Sequence, residues 1–467
     1  MNAQTQKEKM PIASTISYSI AGAGTGIGFY MVNNYLMLFY TDVVGLTATA
    51  ISLIMMIARI WDAVNDPMMG LIVDRTHTRF GKFRPWLMVG PPFLAVFNIL
   101  TFTVWPLEGT LKAVVCFICY IGAGMAYTVV QVAVNGLVNR ICENPDNKMR
   151  LIAISQVANQ IIGTILGACV MTMILFFSQT QEAADGRGYF ITTIILGIVM
   201  VPMIWLGAWK CKEISTEEDE LPKEQREKQS LMRSLKGVLQ NKQLLVIVVS
   251  TFFTCIGAIS RAMLLSYYCI YVVGSYTLIA PVMAVISFGQ LFGNICLPFL
   301  TRKFGKKRWF VMAVLMSAAS MLVLFFIPNP SSAVIIGLSA FYGWLNACSS
   351  MTNAFACDCV EYSDYKYGIR EDALAFSCLS FAVKLASAIT GTAGIWMLTA
   401  VGYVANAEQS ASTLTGINVI VNVIPAIALG IATLPIIFFY KLDEKTMEEV
   451  TAANVEKRSK GIATEEM

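Results

Sequence analysis

Twelve apolar stretches of roughly 20 residues recur along this 467-residue chain and restrict its fold more than any other feature. The first begins near residue 13 and the last ends near residue 440. A helix of about 20 apolar residues matches the thickness of a bilayer core, and within lipid only helices and closed barrels satisfy all backbone hydrogen bonds. The pattern therefore predicts an all-α, polytopic membrane protein with twelve transmembrane helices.

The composition disfavours several other classes of protein. Charged residues make up 14% of the chain and hydrophobic residues 56%, whereas soluble domains carry about 25% charged residues. The net charge of +4 is too small for the basic surface of a nucleic-acid-binding protein. We therefore expect neither an ordinary soluble enzyme nor a nucleic-acid partner. The first apolar stretch is longer than a signal-peptide core, so we interpret it as a retained helix.

One long hydrophilic connection divides the twelve stretches into six plus six. Its acidic run, Glu217 to Glu220, cannot lie in hydrocarbon. The predicted organisation is an N-terminal six-helix bundle at 1–210, a cytoplasmic central loop at 211–243, a C-terminal six-helix bundle at 244–440 and a cytoplasmic tail at 441–467.

The distribution of lysine and arginine among the loops predicts the orientation. The loops on one side hold only Lys112 and Arg187, and the other side holds the remaining basic loop residues. Because basic loops stay in the cytoplasm, both termini are expected inside a bacterial cytoplasmic membrane. We expect a monomer surrounded by membrane lipid.

A short basic motif with a central glycine occurs at the same place in each half. It reads Arg-Phe-Gly-Lys-Phe-Arg at 79–84 and Lys-Phe-Gly-Lys-Lys-Arg at 303–308. Such turns are similar to those of the major facilitator superfamily, in which two six-helix bundles enclose a substrate site near the bilayer midplane. The other interpretation is that any tight cytoplasmic turn favours glycine and basic residues.

The second apolar stretch carries three charged residues, Arg59, Asp62 and Asp66, which form one stripe along a helix with Asn65 at its edge. Buried charges are costly unless they are paired, hydrated or functional. Two carboxylates one turn apart favour a bound cation, a shared proton or a nearby guanidinium. The stripe predicts a cation site, with Asp62 and Asp66 as metal ligands if the ion is sodium. The alternative is an Arg59–Asp62 ion pair that only fixes helix packing.

Segments in both halves resemble the glycoside-pentoside-hexuronide:cation symporter family. The matching segments are residues 40–46, 58–70 and 79–86, a block at 358–371, and Lys384. The resemblance implies a secondary active transporter, not an enzyme, that carries a sugar, glycoside or uronide with Na+ or H+, or with Li+, by alternating access. Its partners would be the solute and the coupling cation, and no cofactor would be needed.

The resemblance also implies roles for individual positions. The implied cation ligands are Asp62, Asn65, Asp66 and Thr128. The positions implied to face the solute include Arg59, Gln131, Asn135, Gln156 and Lys384. The implied cytoplasmic gate consists of Asp358, Glu361, Asp364 and Arg370.

The solute positions depart from the pattern of the galactoside-transporting members. Gly26 and Gln131 stand where those members have carboxylates, and Asn135 replaces a stacking tryptophan. A galactoside is therefore disfavoured, and Gln156, Asn159 and Gln160 give the N-terminal cavity wall an amide-rich character. The alternative function is cation-coupled symport of a non-sugar solute such as an organic acid, a steroid-like compound or an aglycone.

Two polar features of the second half have more than one interpretation. Arg261 would bind a solute carboxylate through a bidentate fork, pair with a carboxylate inside the C-terminal bundle, or snorkel to the interface. In the tenth stretch, a regular helix would place a set of polar residues on one face, as a cavity lining or as packing contacts. These residues are Asn346, Ser349, Ser350 and Asn353.

Two further classes of protein are alternatives to a transporter. The chain has no histidine-rich metal set, no G-x-S-x-G motif and no Walker-type loop, which disfavours a polytopic enzyme. A sensor or scaffold that has the transporter fold but moves no solute is the other alternative, because fold does not fix function.

Overall fold

The computed structural model describes most of the chain, and within that part the backbone is almost entirely helical. The described residues are 12–74, 76, 78, 80–141, 145–179, 183–211, 213, 241–367, 372–443, 446–450 and 453. These residues contain no strand, only an isolated bridge between Thr78 and Gly81. The predicted all-α fold class is confirmed.

Six long helices occupy the described part of the first half. They are α1 (Ile12–Leu38, continued by a π-helical turn at Phe39–Val43), α2 (Ala48–Asp74), α3 (Arg84–Thr101), α4 (Gly109–Ile141), α5 (Pro145–Phe177) and α6 (Gly186–Lys210).

Six further helical segments occupy the described part of the second half, and three of them change helix type along their length. They are α7 (Lys242–Tyr267, then a π turn at Tyr268–Val272), α8 (Ile279–Phe304), α9 (Lys306–Phe326), α10 (Ser332–Asn346, a 3-10 turn at Ala347–Ser350, then Met351–Tyr367), α11 (Asp372–Ala400) and α12 (Ala411–Asn418, a π turn at Val419–Val423, then Ile424–Phe439).

Nine helices within the described residues have the length and apolar composition needed to cross a bilayer. They are α4 to α12. The charged stripe of Arg59, Asp62 and Asp66 lies on α2. Because charges within a membrane helix are costly unless they serve a function, this stripe is the place to look for a functional site.

The chain divides into two compact units. Unit 1 comprises Met1–Leu221, Gly274–Ser287 and Val404–Glu408, and unit 2 comprises Pro222–Val273, Phe288–Tyr403 and Gln409–Met467. In unit 1, α1 packs against α5 and α6, α3 against α4 and α6, and α2 against α4. In unit 2, α12 packs against α7 and α9, α11 against α7, and α9 against α10.

Glycines bring α1 close to its neighbours on two sides. Gly22 and Gly26, one turn apart, face α5, and a Cβ atom at Gly26 would lie 2.9 Å from Asn159 Oδ1. Gly24 and Gly28 face α6 and α3. Small residues allow such close helix contacts in membranes, and here they place the amide of Asn159 directly beside α1.

Candidate functional site

The charged face of α2 contains an ion pair. Arg59 Nη1 lies 3.6 Å from Asp62 Oδ2, and the two side chains are 16% and 23% exposed. This separation is longer than that of a charge-assisted hydrogen bond, about 2.7–2.9 Å. The pair matches the alternative interpretation of the stripe, but partly exposed pairs of this kind contribute little to stability.

The other oxygen of the Asp62 carboxylate faces α4. A Cβ atom at Gly124 would lie 3.3 Å from Asp62 Oδ1, so the missing side chain lets the carboxylate approach the α4 backbone. Thr128 lies one turn further along the same face of α4 and is buried. The packing of α2 on α4 thus brings together the helix faces that carry the predicted ligands.

Asn65, one turn after Asp62 on α2, is fully buried. Within the described part of the chain, neither its Oδ1 nor its Nδ2 atom has a hydrogen-bond partner. A buried polar group without a partner costs about 1–3 kcal/mol. Amide oxygens are ligands for hard cations, so the Asn65 Oδ1 atom is available for that role.

The second predicted carboxylate is that of Asp66. The backbone of Asp66 belongs to α2, and its side chain lies outside the described residues. No three His, Cys, Asp or Glu side chains among the described residues form a metal-binding group. The predicted ligands whose side chains the structure describes are one carboxylate, one amide and one hydroxyl, from Asp62, Asn65 and Thr128.

An amide stripe continues from this cluster along α4. Gly124, Thr128, Gln131 and Asn135 are spaced i, i+4, i+7 and i+11, which places them on one helical face. Gln131 and Asn135 are exposed, as is Gln156 on α5. Because exposed amides are costly against lipid, this face borders water or solute. Thr128, a predicted cation ligand, therefore shares one face of α4 with Gln131 and Asn135, two of the predicted solute residues.

The structure places Arg261 differently from the predicted solute-binding fork. Its side chain is only 2% exposed. The Nη1 atom donates to the Val421 carbonyl at 3.3 Å and to Asn422 Oδ1, and Asn422 Nδ2 donates to Asn418 Oδ1 at 2.6 Å. Because π turns redirect backbone carbonyls, the Val419–Val423 turn of α12 provides acceptors inside unit 2. Arg261 is thus held in the interior of this unit.

The remaining predicted residues of the second half lie on α10 and α11. Asp358 accepts hydrogen bonds from Lys306 Nζ, at 2.9 Å to Oδ1 and 3.0 Å to Oδ2. Glu361 and Asp364 are half-buried further along α10, and Lys384 is exposed on α11. Arg370 lies outside the described residues. The structure therefore shows Asp358 of the predicted gate bound to Lys306 within unit 2.

A 3-10 turn interrupts α10 among its predicted polar residues. The 3-10 turn at Ala347–Ser350 changes the angle between successive residues, so the assumption of a continuous α-helix is wrong here. Ser350 Oγ donates to Asn294 Oδ1 of α8 at 3.1 Å. This contact supports the interpretation of Ser350 as a packing residue.

The first glycine turn is bound by an acidic residue that the sequence pattern did not indicate. Glu213, three residues after α6, accepts hydrogen bonds from the backbone N–H groups of Lys82, Phe83 and Arg84 at 2.7, 2.9 and 2.9 Å. Gly81 has a φ of +111°, and a Cβ atom there would lie 2.6 Å from the Glu213 carboxylate. Arg84 Nε donates to the Ala208 carbonyl at the end of α6 at 2.6 Å.

The second glycine turn uses cationic side chains instead. Gly305 has a φ of +83°, and Lys306 binds Asp358 as described above. Lys307 Nζ donates to the Tyr440 carbonyl, just after α12, at 2.6 Å. The predicted repeat is therefore visible as two positive-φ glycines at equivalent positions.

These observations define a class of protein. An all-α chain with two motif-related halves, a charged face on a membrane helix and exposed amides beside it has the features of a polytopic secondary transporter. The chain belongs to the MFS/sugar transport protein family, whose model matches residues 17–444.

Individual relatives agree with this assignment. The chain is 27% identical over 442 residues to the isoprimeverose transporter of Lactiplantibacillus pentosus, covering 94% of this chain and 90% of the relative. It is 26% identical over 442 residues to the glucuronide carrier protein homolog of Escherichia coli (strain K12), covering 93% of each. The protein is thus a multi-pass transporter of the glycoside-pentoside-hexuronide symporter type and not an enzyme.

A solved structure supports the fold independently. The crystal structure of a D-xylose–proton symporter superimposes with a TM-score of 0.63 at 14% identity, covering 91% of this chain and 97% of that chain. At this identity the similarity concerns the fold alone, and it agrees with the predicted major facilitator architecture.

Proposed function

We propose that this protein couples uptake of a sugar or glycoside to the downhill movement of a cation by alternating access. The family supports a sugar-transporting symporter, and the buried Asn65 amide beside Asp62 supports the cation step. In this proposal Asp62, Asn65, Asp66 and Thr128 bind the ion between α2 and α4.

The amide also favours a metal ion over a proton. A carboxylate serves either ion, since it can ligate Na+ or accept H+. The oxygen of a neutral amide ligates a hard cation but is too weak a base to hold a proton near pH 7. A contribution from Asn65 therefore supports Na+ or Li+ as the coupling ion.

The solute side of the proposal is based on neutral polar groups. Gln131, Asn135 and Gln156 each offer two N–H donors and a carbonyl acceptor, which suit the hydroxyl groups of a sugar. The Nη1 atom of Arg261 is engaged with α12, and its buried Nε atom has no hydrogen-bond partner among the described residues. The exposed amides lead us to favour a neutral glycoside or pentoside over a uronide, and a uronide or non-sugar acid bound by Arg261 is a further outcome to test.

The shared face of α4 suggests how the two ligands are coupled. A cation that binds Asp62 and Thr128 would order the helix that also presents Gln131 and Asn135. Each ligand would then raise the affinity for the other by the same factor, with a coupling of about 1–3 kcal/mol, or roughly 5- to 150-fold. The membrane potential adds about 2.3 kcal/mol per charge per 100 mV.

The decisive experiment measures uptake by the purified protein in proteoliposomes. Neutral pentosides and glycosides, glucuronides and organic acids would be tested under Na+, Li+ or H+ gradients. We expect Na+- or Li+-driven uptake of a neutral glycoside, lost in Asp62→Asn and strongly reduced in Asn65→Ala. Asn33→Ala, at an exposed amide of α1, serves as the matched control.

Each outcome of this experiment is informative if the variants keep the wild-type melting temperature. Unchanged Na+ stimulation in both α2 variants would contradict the proposed cation site. Uptake driven only by H+ would contradict the role of Asn65, and a lack of uptake of every solute would contradict symport itself.

We also propose that the protein is a monomer in a bacterial cytoplasmic membrane with both termini in the cytoplasm. The support is the basic character of one set of loops, against only Lys112 and Arg187 on the other side. Labelling of single cysteines from either side of the membrane tests the orientation, and labelling of a C-terminal cysteine from outside would contradict it.

A further inference from the structure

The turn between α8 and α9 holds five cationic residues, and they divide into two groups. Lys306 and Lys307 are engaged inside unit 2, with Asp358 and with the Tyr440 carbonyl. Arg302, Lys303 and Arg308 are exposed, and in the described part of the chain no carboxylate forms an ion pair with them. We call these three residues the basic triad.

The exposed apolar surface of α8 ends next to the basic triad. Phe288, Phe292, Ile295 and Phe299 are exposed and spaced i, i+4, i+7 and i+11. This spacing produces a single stripe on one helical face, and Arg302 continues it at i+14. Large apolar side chains exposed along a membrane helix contact acyl chains. Arg302 therefore lies where that acyl-contacting surface ends.

The apolar surface of α9 begins at the same place. Arg308 is exposed in its first turn, followed by exposed Met312, Leu315, Val323 and Phe326. These residues are spaced i, i+4, i+7, i+15 and i+18, so Arg308 starts a stripe of the same kind. Two acyl-contacting stripes thus meet at three cations without carboxylate partners among the described residues.

Aromatic rings pack beside the basic triad. Phe304 stacks on Trp309 with ring centroids 5.8 Å apart, and Trp309 packs edge-on against Trp344 at 6.0 Å. Trp309 is buried, so these rings fix the positions of the helix ends. Lys303 Nζ lies 5.4 Å from the centroid of the Phe304 ring. Basic residues at the ends of membrane helices are enriched at the level of lipid headgroups, so the ends of the two apolar stripes indicate headgroup depth for the basic triad.

We propose that the basic triad binds the phosphate of an anionic phospholipid whose acyl chains lie along the α8 and α9 stripes. Arginine forks match phosphate oxygens, and basic clusters beside membrane helices recognise anionic headgroups. The ligand is a lipid rather than a free phosphate, because the cations adjoin an apolar surface on both sides. This site is independent of the proposed cation and solute site of unit 1.

The test uses the full-length protein, delipidated in detergent and titrated with phosphatidylglycerol. Binding is followed by native mass spectrometry and by the melting temperature. The test variant combines Arg302→Gln, Lys303→Gln and Arg308→Gln. A charge-matched control combines Lys210→Gln, Lys242→Gln and Lys441→Gln, at exposed lysines outside the turn. We expect wild-type and control proteins to bind the lipid, and the triad variant to bind it at least about tenfold more weakly.

Several results would overturn the proposal. Equal binding by the triad variant and the control would show that the three cations are not a site. Equal stabilisation by phosphatidylcholine would remove the requirement for an anionic headgroup, and equal stabilisation by inorganic phosphate would indicate a free-anion site. If the triple variant does not fold, Arg308→Gln alone replaces it, with an expected loss of about threefold in affinity and Lys242→Gln as its control.

Discussion

The glycine turns that precede α3 and α9 come from one repeated motif but are stabilised by opposite chemistry. In unit 1 the turn presents backbone N–H groups, and the carboxylate of Glu213 binds them. In unit 2 the turn presents lysine side chains, and these bind Asp358 and the end of α12. What the two turns share is the positive φ of Gly81 and Gly305. The repeat therefore specifies the shape of the turn and leaves its partners free to differ.

This difference has a consequence for each unit. The first turn depends on one acid that lies far away in the sequence, so it should respond strongly to loss of that acid. The second turn divides its contacts between two partly exposed lysines, Lys306 and Lys307, and partly exposed pairs are individually weak. The following predictions test this contrast in order of expected effect.

Gly81→Ala should have the largest effect. The positive φ strains any other residue, and the added Cβ atom would push Glu213 away from its three N–H donors. We expect a loss of about 3–5 kcal/mol in unfolding free energy, from strain and lost hydrogen bonds together. Thermal and denaturant unfolding of the purified protein measure it, and a smaller loss than for Gly305→Ala would reverse the comparison.

Glu213→Gln should destabilise the protein by about 1.5–3 kcal/mol, because hydrogen bonds to a charged acceptor are replaced by weaker neutral ones. The measurement is again the unfolding free energy, with Glu108→Gln, at an exposed acid, as the control. Glu213 and Gly81 should also be non-additive, since both act through the same contact. A fully additive double variant, Gly81→Ala with Glu213→Gln, would mean that they act separately.

Gly305→Ala should cost about 1–3 kcal/mol, from backbone strain alone. Its φ of 83° and ψ of 145° lie in a region that is almost restricted to glycine. Gly337→Ala in α10 is a suitable control, because a Cβ atom there would meet nothing within 4 Å. Equal melting temperatures for the two variants would show that the second turn tolerates strain.

The Lys306–Asp358 pair should give the smallest effect. The lysine side chain is 44% exposed, and exposed pairs contribute about 0.2–1 kcal/mol. A double-mutant cycle with Lys306→Gln and Asp358→Asn measures the coupling, which should fall further at high salt. A coupling larger than the effect of Glu213→Gln would contradict the contrast between the two turns.

Hydrophobicity made the overall architecture predictable. Long apolar stretches have few alternatives in a bilayer, so the helices followed from the sequence. Helical geometry alone placed Asn65 at the edge of the stripe that holds Asp62. The repeated glycine turn was also predictable, because glycine is the residue that adopts positive φ at no cost.

Features that depend on distant or irregular backbone were not predictable in the same way. Glu213 lies about 130 positions from the turn it binds, and its only signal is an acidic residue shortly after α6. The buried network of Arg261 depends on a π turn of α12, which leaves no period in the sequence. The 3-10 turn of α10 likewise leaves no period in the sequence, so the predicted polar face rested on the assumption of a regular helix.

The contact between Gly26 and Asn159 bears on how solute preference could change in this protein. An aspartate introduced at Gly26 would occupy the space that the Asn159 amide now takes beside α1. An acid on α1 therefore requires this amide to shift, and the amide is the end of a side chain that can turn. A change of chemistry at position 26 would thus reach α5 as well, so that the two helices would rearrange their polar groups together.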